Sequence, residues 1–238
     1  MRDPSLDELA WDPLRAIAQW DMVDKEEATW LAFLVTFFGP AERQSDVWEG
    51  VRSVYAAFGT RRLSWAEAQR EPRNVLDVCL QHHDAYVRLP RGNHRKFEPN
   101  AADHPQGIGS AVASYVDVIA RHGAGDQTAL FAVVGESPDA RFSRLMVDLR
   151  AVVSLGRTGR YDFLTLLRNL GVYELEPDRI YMVGATGPLS GARRLFGVPG
   201  RATSEQEELD ERAMSLARAV GVDPQAMEDA LCNWQKKL

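Results

Sequence analysis

Between Lys25 and Phe38 the chain crowds its apolar residues together, KEEATWLAFLVTFF, and then stops on two breakers, Gly39 and Pro40. A helix this apolar is a buried one, so other elements have to cover it. The following sequence supplies them. Val47, Val51, Val54, Tyr55 and Phe58 recur at helical spacing with Gly59 as a stop, and Val75, Leu76, Val78, Cys79 and Tyr86 predict a further helix. Ile108, Val112, Tyr115, Val116 and Ile119 share one helical face, a short apolar helix follows through residues 131–134, and both read as core. Pro138 opens a helix carrying Phe142, Leu145, Leu149 and Val152; Gly156 and Gly159 then bracket a basic turn ahead of a compact helix over 161–170. Helices over 203–220 and from Asp223-Pro224 to Trp234 complete the chain. The expectation is an all-α fold of roughly ten helices, with no strand pair and no repeat.

Composition narrows the function classes. At 238 residues and 45% hydrophobic content, the chain suits one large domain or two lobes sharing a cleft. No apolar run approaches the ~20 residues of a bilayer span, and the N-terminus is acidic where a signal peptide would be basic, so no membrane partner and a cytoplasmic location are expected. Cys79 and Cys232 lack any Cys-x-x-Cys spacing, which argues against a zinc knuckle or a disulfide scaffold. His82-His83-Asp84 is a poor chelating arrangement on a helix, so no metal and no cofactor is expected. A net charge of −6 argues against nonspecific coating of nucleic acid, but positive charge is concentrated locally. Arg88, Arg91, Arg95 and Lys96 have no acid between them, and Arg141, Arg144, Arg150, Arg157 and Arg160 are interrupted only by Asp148. That pattern allows an anion-binding face on an acidic body; a solvated helix face is the plainer alternative.

Residues 180–196 read as a short apolar piece, a glycine turn and a helix opening at Pro188, an arrangement that looks like a helix-hairpin-helix over about 177–197. Glycines let a backbone come close, and the free N–H groups of a helix start favour a phosphate oxygen. Gly184, Thr186, Gly187 and Arg193 are the candidate DNA contacts. A plain glycine turn between packed helices would read the same way.

This hairpin, the helix containing Asp210 and the last helix ending in Leu231-Cys232-Asn233-Trp234 together resemble the helix-hairpin-helix DNA glycosylase superfamily. The resemblance implies a two-lobed, glycosylase-like helical domain over 1–238 with an aspartate about one helix beyond the hairpin, to which Asp210 corresponds. The turn has one residue more than the usual Gly-x-Gly, and no lysine stands at the usual catalytic place. A narrower resemblance rests on Arg91-Gly-Asn-His-Arg-Lys-Phe-Glu98, the surroundings of Asp148, residues 157–162, and Gly184-Ala-Thr-Gly-Pro-Leu-x-Gly-Ala192. Together these look like the phage and bacterial α-glutamyl/putrescinyl-thymine pyrophosphorylases and the helical domains of hydroxymethyluracil DNA kinases. What that resemblance implies is a transferase acting on DNA, in which a pyrophosphorylated hydroxymethyluracil loses pyrophosphate and gains an amine from an amino acid or polyamine.

The residues suit such chemistry on their own terms. Arg91, Asn93, Arg95 and Lys96 around Gly92, with His94, offer donors for a leaving pyrophosphate, and Arg157 with Arg160 offers a second side of the clamp or a grip on the DNA backbone. The incoming amine must lose a proton, for which Asp210, Asp148 and His94 are the catalytic candidates and Asp162 an alternative. A base in duplex DNA would have to be extruded against an aromatic ring such as Tyr86, Phe97 or Tyr161; the tryptophans, Trp30, Trp48 and Trp65 among them, read mostly as core. Two other classes stay open: a noncatalytic DNA-binding module partnering a DNA kinase, and a base-excising glycosylase. The chain has no phosphate-binding Gly-x-x-x-x-Gly-Lys-Ser/Thr loop of its own.

Overall fold

The computed structural model describes residues 11–20, 24–92 and 101–237. Among these there are thirteen α-helices and no strand, so the chain is all-α. In order they are α1 (Pro13–Trp20), α2 (Lys25–Phe38), α3 (Glu49–Tyr55), α4 (Trp65–Arg70), α5 (Arg73–Gln81), α6 (His83–Tyr86), α7 (Ile108–Gly123), α8 (Gln127–Phe131), α9 (Pro138–Asp148), α10 (Arg157–Asn169), α11 (Gly187–Phe196), α12 (Thr203–Val220) and α13 (Pro224–Trp234). They divide into two compact units, one within Met1–Glu136 and Arg144–Glu174, the other within Ser137–Ser143 and Leu175–Leu238.

The first unit is built around α2. Asp24 caps its start by accepting from the Glu27 N–H at 3.0 Å, and every residue from Glu27 to Phe38 is buried. An aromatic cluster surrounds it. Phe33 stacks on Tyr115 of α7 with ring centroids 4.2 Å apart and meets Phe163 of α10 edge-on at 6.1 Å. Such pairs add about 0.5–1.5 kcal/mol each beyond the area they bury. Two polar side chains drawn into this core are satisfied: the Trp30 indole donates to the Leu63 carbonyl at 2.8 Å, and Glu27 accepts from the Tyr55 hydroxyl at 2.6 Å and the Trp65 N–H at 2.8 Å. Burial raises the Glu27 carboxyl above its ordinary range, against the lowering effect of those two donors. At the far end Gly39 takes φ 65°, ψ 164°, a conformation for which only glycine is unstrained, and the chain turns sharply out of α2.

Three sequence expectations differ here. The apolar run 131–134 is not all core: α8 ends at Phe131, and Val133 and Val134 are 40% and 98% exposed on the turn that follows. The basic turn expected around 156–160 is the start of α10, with Gly156 at its N-cap position and Gly159 buried within it. Trp48 is only half-buried, at the N-cap of α3, outside the periodic set Val47, Val51 and Val54.

The second unit packs α11, α12 and α13 around Ile180, Met182, Leu189, Leu209, Met227 and Leu231. The segment ahead of the glycine turn is not a helix; residues 171–186 are turns, bends and irregular backbone. Its N–H groups at alternate positions are taken by side chains of α12. Asp210 accepts from Ile180 at 3.0 Å and Met182 at 2.9 Å, one carboxylate oxygen each, and Gln206, one helical turn earlier, accepts from Gly184 at 3.1 Å. A helix face thus does what a neighbouring strand would do, because buried N–H groups have to find acceptors somewhere.

Candidate functional site

The expected site residues fall into separate places. Within the first unit, the end of α2 and the loop after α6 are drawn together backbone to backbone. The Gly92 N–H donates to the Phe38 carbonyl at 2.9 Å, and a Cβ on Gly92 would lie 2.9 Å from the Pro40 oxygen and 3.0 Å from the Gly39 carbonyl carbon. Gly50 of α3 is under the same constraint, with Phe38 Cδ1 2.8 Å and the Pro90 oxygen 3.0 Å from where its Cβ would be. Glycine is required at both places by closeness of approach. Arg91, between Pro90 and Gly92, lays its guanidinium over the rings of Phe38 and Tyr86, with 5.6 Å and 5.2 Å to the centroids. Beside it, burial pushes the Cys79 thiol up to about 12 despite the charge of Arg91.

These approaches frame a pocket of about 330 Å³ lined by Leu14, Val35, Gly39, Pro40, Trp48 and Leu166, by Thr36 and Gly92, and by two carboxylates, Glu42 and Asp162. One wall is an indole. Asp162 and Leu166 reach the pocket from α10, one helical turn apart. This is the place where two of the sequence motifs meet, residues 91–98 through Gly92 and residues 157–162 through Asp162.

Arg157 and Arg160 stand elsewhere on α10, about 140° and 160° round its axis from Asp162 at 3.6 residues per turn. With the exposed Arg150 they surround a helix start that has no acid in its first turn and no side-chain cap. Cations at a helix N-terminus oppose its dipole. Arg160 is held below the ordinary guanidinium range by burial and then by the charges of Arg150 and Arg157; its Nη1 donates to the Leu155 carbonyl at 3.1 Å, and Arg157 lies over the Tyr161 ring at 5.0 Å.

Asp148 lies in neither place. Arg144 donates to it at 3.0 Å and grips Glu136 through two bonds of 2.9 Å, while His122 Nδ1 stands 3.9 Å from its other oxygen. These four side chains line an open cleft of about 490 Å³ with Val133, Val134 and Gly135.

In the second unit, Gly184 takes φ 77° at an open, exposed turn, and Thr186 beside it is also exposed. Gly187 and Gly191 serve packing instead: a Cβ on Gly187 would meet Cys232 Sγ at 2.5 Å, and one on Gly191 would overlap the Leu231 carbonyl. Arg193 donates to the Gly200 carbonyl. Asp210 is buried, and both its oxygens accept from the backbone.

Asn93, His94, Arg95, Lys96 and Phe97 lie outside the described residues. Of the other rings expected to face an extruded base, Tyr86 is 0% and Tyr161 3% exposed, so neither presents a face to solvent. The half-buried Trp48 does border the pocket, and it was missed together with Glu42. The one available signal was position: both follow the Gly39-Pro40 break closely. Among the described residues no group of three or more His, Cys, Asp or Glu is placed to hold a metal ion, and no helix is long and apolar enough to cross a membrane.

A family model described as alpha-glutamyl/putrescinyl thymine pyrophosphorylase clade 3 matches residues 2–238. No curated protein and no solved structure matches the chain.

Proposed function

Because the chain belongs to the alpha-glutamyl/putrescinyl thymine pyrophosphorylase clade 3 family, we propose that it is a transferase acting on a modified thymine in DNA, exchanging the pyrophosphate of a pyrophosphorylated hydroxymethyluracil for an amine. The observation that carries the reading is the pocket between α1, α2, α10 and the segment that follows α2, where an indole wall and two carboxylates meet at a glycine-framed opening. An extruded base stacks on Trp48. Such stacking contributes about 1–3 kcal/mol and tolerates any base, so the pocket walls supply the selectivity.

The step is a displacement at the methylene on the base. The amine nitrogen, once deprotonated, forms the new C–N bond; the C–O bond to pyrophosphate breaks and its electron pair leaves with the oxygen. Asp162 or Glu42 takes the ammonium proton. The basic residues next to Gly92 in sequence, Arg91, Asn93, Arg95 and Lys96, with His94, receive the leaving group. Asp148 is gripped by Arg144, and Asp210 is bonded twice to backbone N–H groups. Arg150, Arg157 and Arg160 hold a phosphate of the DNA strand, which relieves their mutual repulsion and that of the helix dipole. At the exposed turn, Gly184 and Thr186 offer further backbone contacts to DNA.

The test is mass spectrometry of nucleosides from DNA carrying pyrophosphorylated hydroxymethyluracil, after incubation with the protein and a pool of amino acids and polyamines. The expected result is an amine-bearing thymidine together with free pyrophosphate, slowed about 10²–10⁴-fold in Asp162→Asn. Intact substrate on DNA that the protein demonstrably binds would leave a binding module, and a free base with an abasic site would make it a glycosylase.

A further inference from the structure

The exposed turn ahead of α11 is held by a side chain from another helix. Gly184 takes φ 77° there, and no atom lies within 4 Å of where a Cβ would stand, so nothing packs against it. Gln206 of α12 holds it instead, its Oε1 accepting from the Gly184 N–H at 3.1 Å. The same amide also reaches a second segment: its Nε2 donates to the Gly200 carbonyl at 3.3 Å, and Arg193 of α11 donates to that carbonyl too. Gly200 is buried at φ 58°, with Arg193 Nε and Leu209 Cδ1 each 2.8 Å from where its Cβ would be. Gln206 thus ties an exposed turn to a fixed, buried loop.

Its lack of charge stands out against its neighbours. In Glu205-Gln206-Glu207-Glu208-Leu209-Asp210-Glu211 every other polar residue is an acid. A glutamate at 206 would accept from the Gly184 N–H more strongly, since a charge-assisted hydrogen bond is about twice as strong as a neutral one. The Gly200 carbonyl would keep its donor from Arg193. A tie that served the fold alone would therefore be well made by the acid that surrounds it in sequence. What an acid would add is a negative charge at the exposed turn. The nearby acids are placed differently: Glu205 accepts from the Arg201 and Ala202 N–H groups, and Asp210 is buried with both oxygens on Ile180 and Met182. Gln206 is only half-buried and bonds to the exposed residue itself.

We propose that Gln206 is a positioning residue for DNA binding, an inference that rests on the reading in which Gly184 and Thr186 contact the DNA backbone. It holds the turn in the shape that meets a phosphate, and it does so without a charge that would repel one. A phosphate contact carries no base sequence, so Gln206 sets affinity and not the choice of site.

The experiment measures binding of the full chain to two fluorescent duplexes that carry hydroxymethyluracil in unrelated sequences, at stepped salt, with a thermal melt of each protein. Gln206→Ala leaves the exposed Gly184 N–H to water, so it is expected to melt close to the wild type while binding both duplexes about three- to tenfold more weakly. Gln206→Glu keeps the bond to Gly184 and is expected to bind weaker still, by about tenfold or more at low salt, with its gap to Gln206→Ala closing as salt screens the added charge. Wild-type affinity in Gln206→Glu overturns the proposal, because an acid would then be harmless at the turn. A Gln206→Ala protein that melts lower with both affinities intact overturns it as well, by making the tie internal to the fold. So does a loss confined to one duplex, since the phosphates are the same in both. These three results leave the transferase reading standing, whereas a wild-type chain that binds neither duplex defeats the DNA reading itself.

Discussion

The pocket of the first unit and the glycine turn of the second are both places where glycines and carboxylates meet, yet they spend those residues differently. At the turn, Asp210 and Gln206 are taken up by the N–H groups of Ile180, Met182 and Gly184, and Gly187 and Gly191 by the close passage of α11 along α13. In the pocket, Gly39 and Gly92 bring two backbone segments together, and the side chains around them, Trp48, Glu42 and Asp162, line open space. A carboxylate in a motif is therefore not a functional one until its hydrogen-bond partners are known. Backbone partners mark a structural role.

The sharpest way to break this contrast is Asp210→Ala. Two buried N–H groups would lose their acceptors at about 1–3 kcal/mol each, so denaturant unfolding should show a loss of about 4 kcal/mol, with Asp210→Asn costing about half as much. A stable Asp210→Asn protein without turnover would instead make Asp210 the base and reverse the comparison. Next comes Gly191→Ala, which forces α11 off the Leu231 carbonyl and should lower stability by about 2–3 kcal/mol.

Trp48→Ala probes the other side. The ring is half-buried beside a cavity, so its loss should cost about 1 kcal/mol of stability while raising the reaction barrier by about 1–3 kcal/mol; a thermal melt and a turnover assay separate the two. The smallest effect concerns Glu27, a buried carboxyl of this core whose shift has a clear sign. Its carboxyl is raised above the ordinary 4.5 by burial, so the folded state binds its proton more tightly than the unfolded chain does. The resulting stabilisation is complete below the ordinary value and fades as pH rises through the raised one. Glu27→Gln should flatten that decline, as followed by urea unfolding at stepped pH.

Much of the fold was legible because it depends on local pattern. The all-α class, the burial of α2, the 203–220 helix and the Asp223-Pro224 start of α13 follow from apolar periodicity, caps and breakers, which act over a few residues. The family likeness was legible too, since it rests on short motifs, and the match over residues 2–238 agrees with it. What failed was anything that depends on where a residue's partners come from. Val133 and Val134 have the composition of core, but nothing folds over them. Arg157, Arg160 and Asp162 are neighbours in sequence, and the 3.6-residue turn of α10 sends them to opposite sides. Trp48 and Asp162 are more than a hundred residues apart, and only the packing of α10 against α2 makes them two walls of one pocket. The sequence by itself determined which segments are helices and which faces they bury, because those are properties of neighbours along the chain. Which carboxylates bond to backbone and which border a cavity was decided by the tertiary structure, because the competing acceptors and donors arrive from distant segments that local pattern does not see.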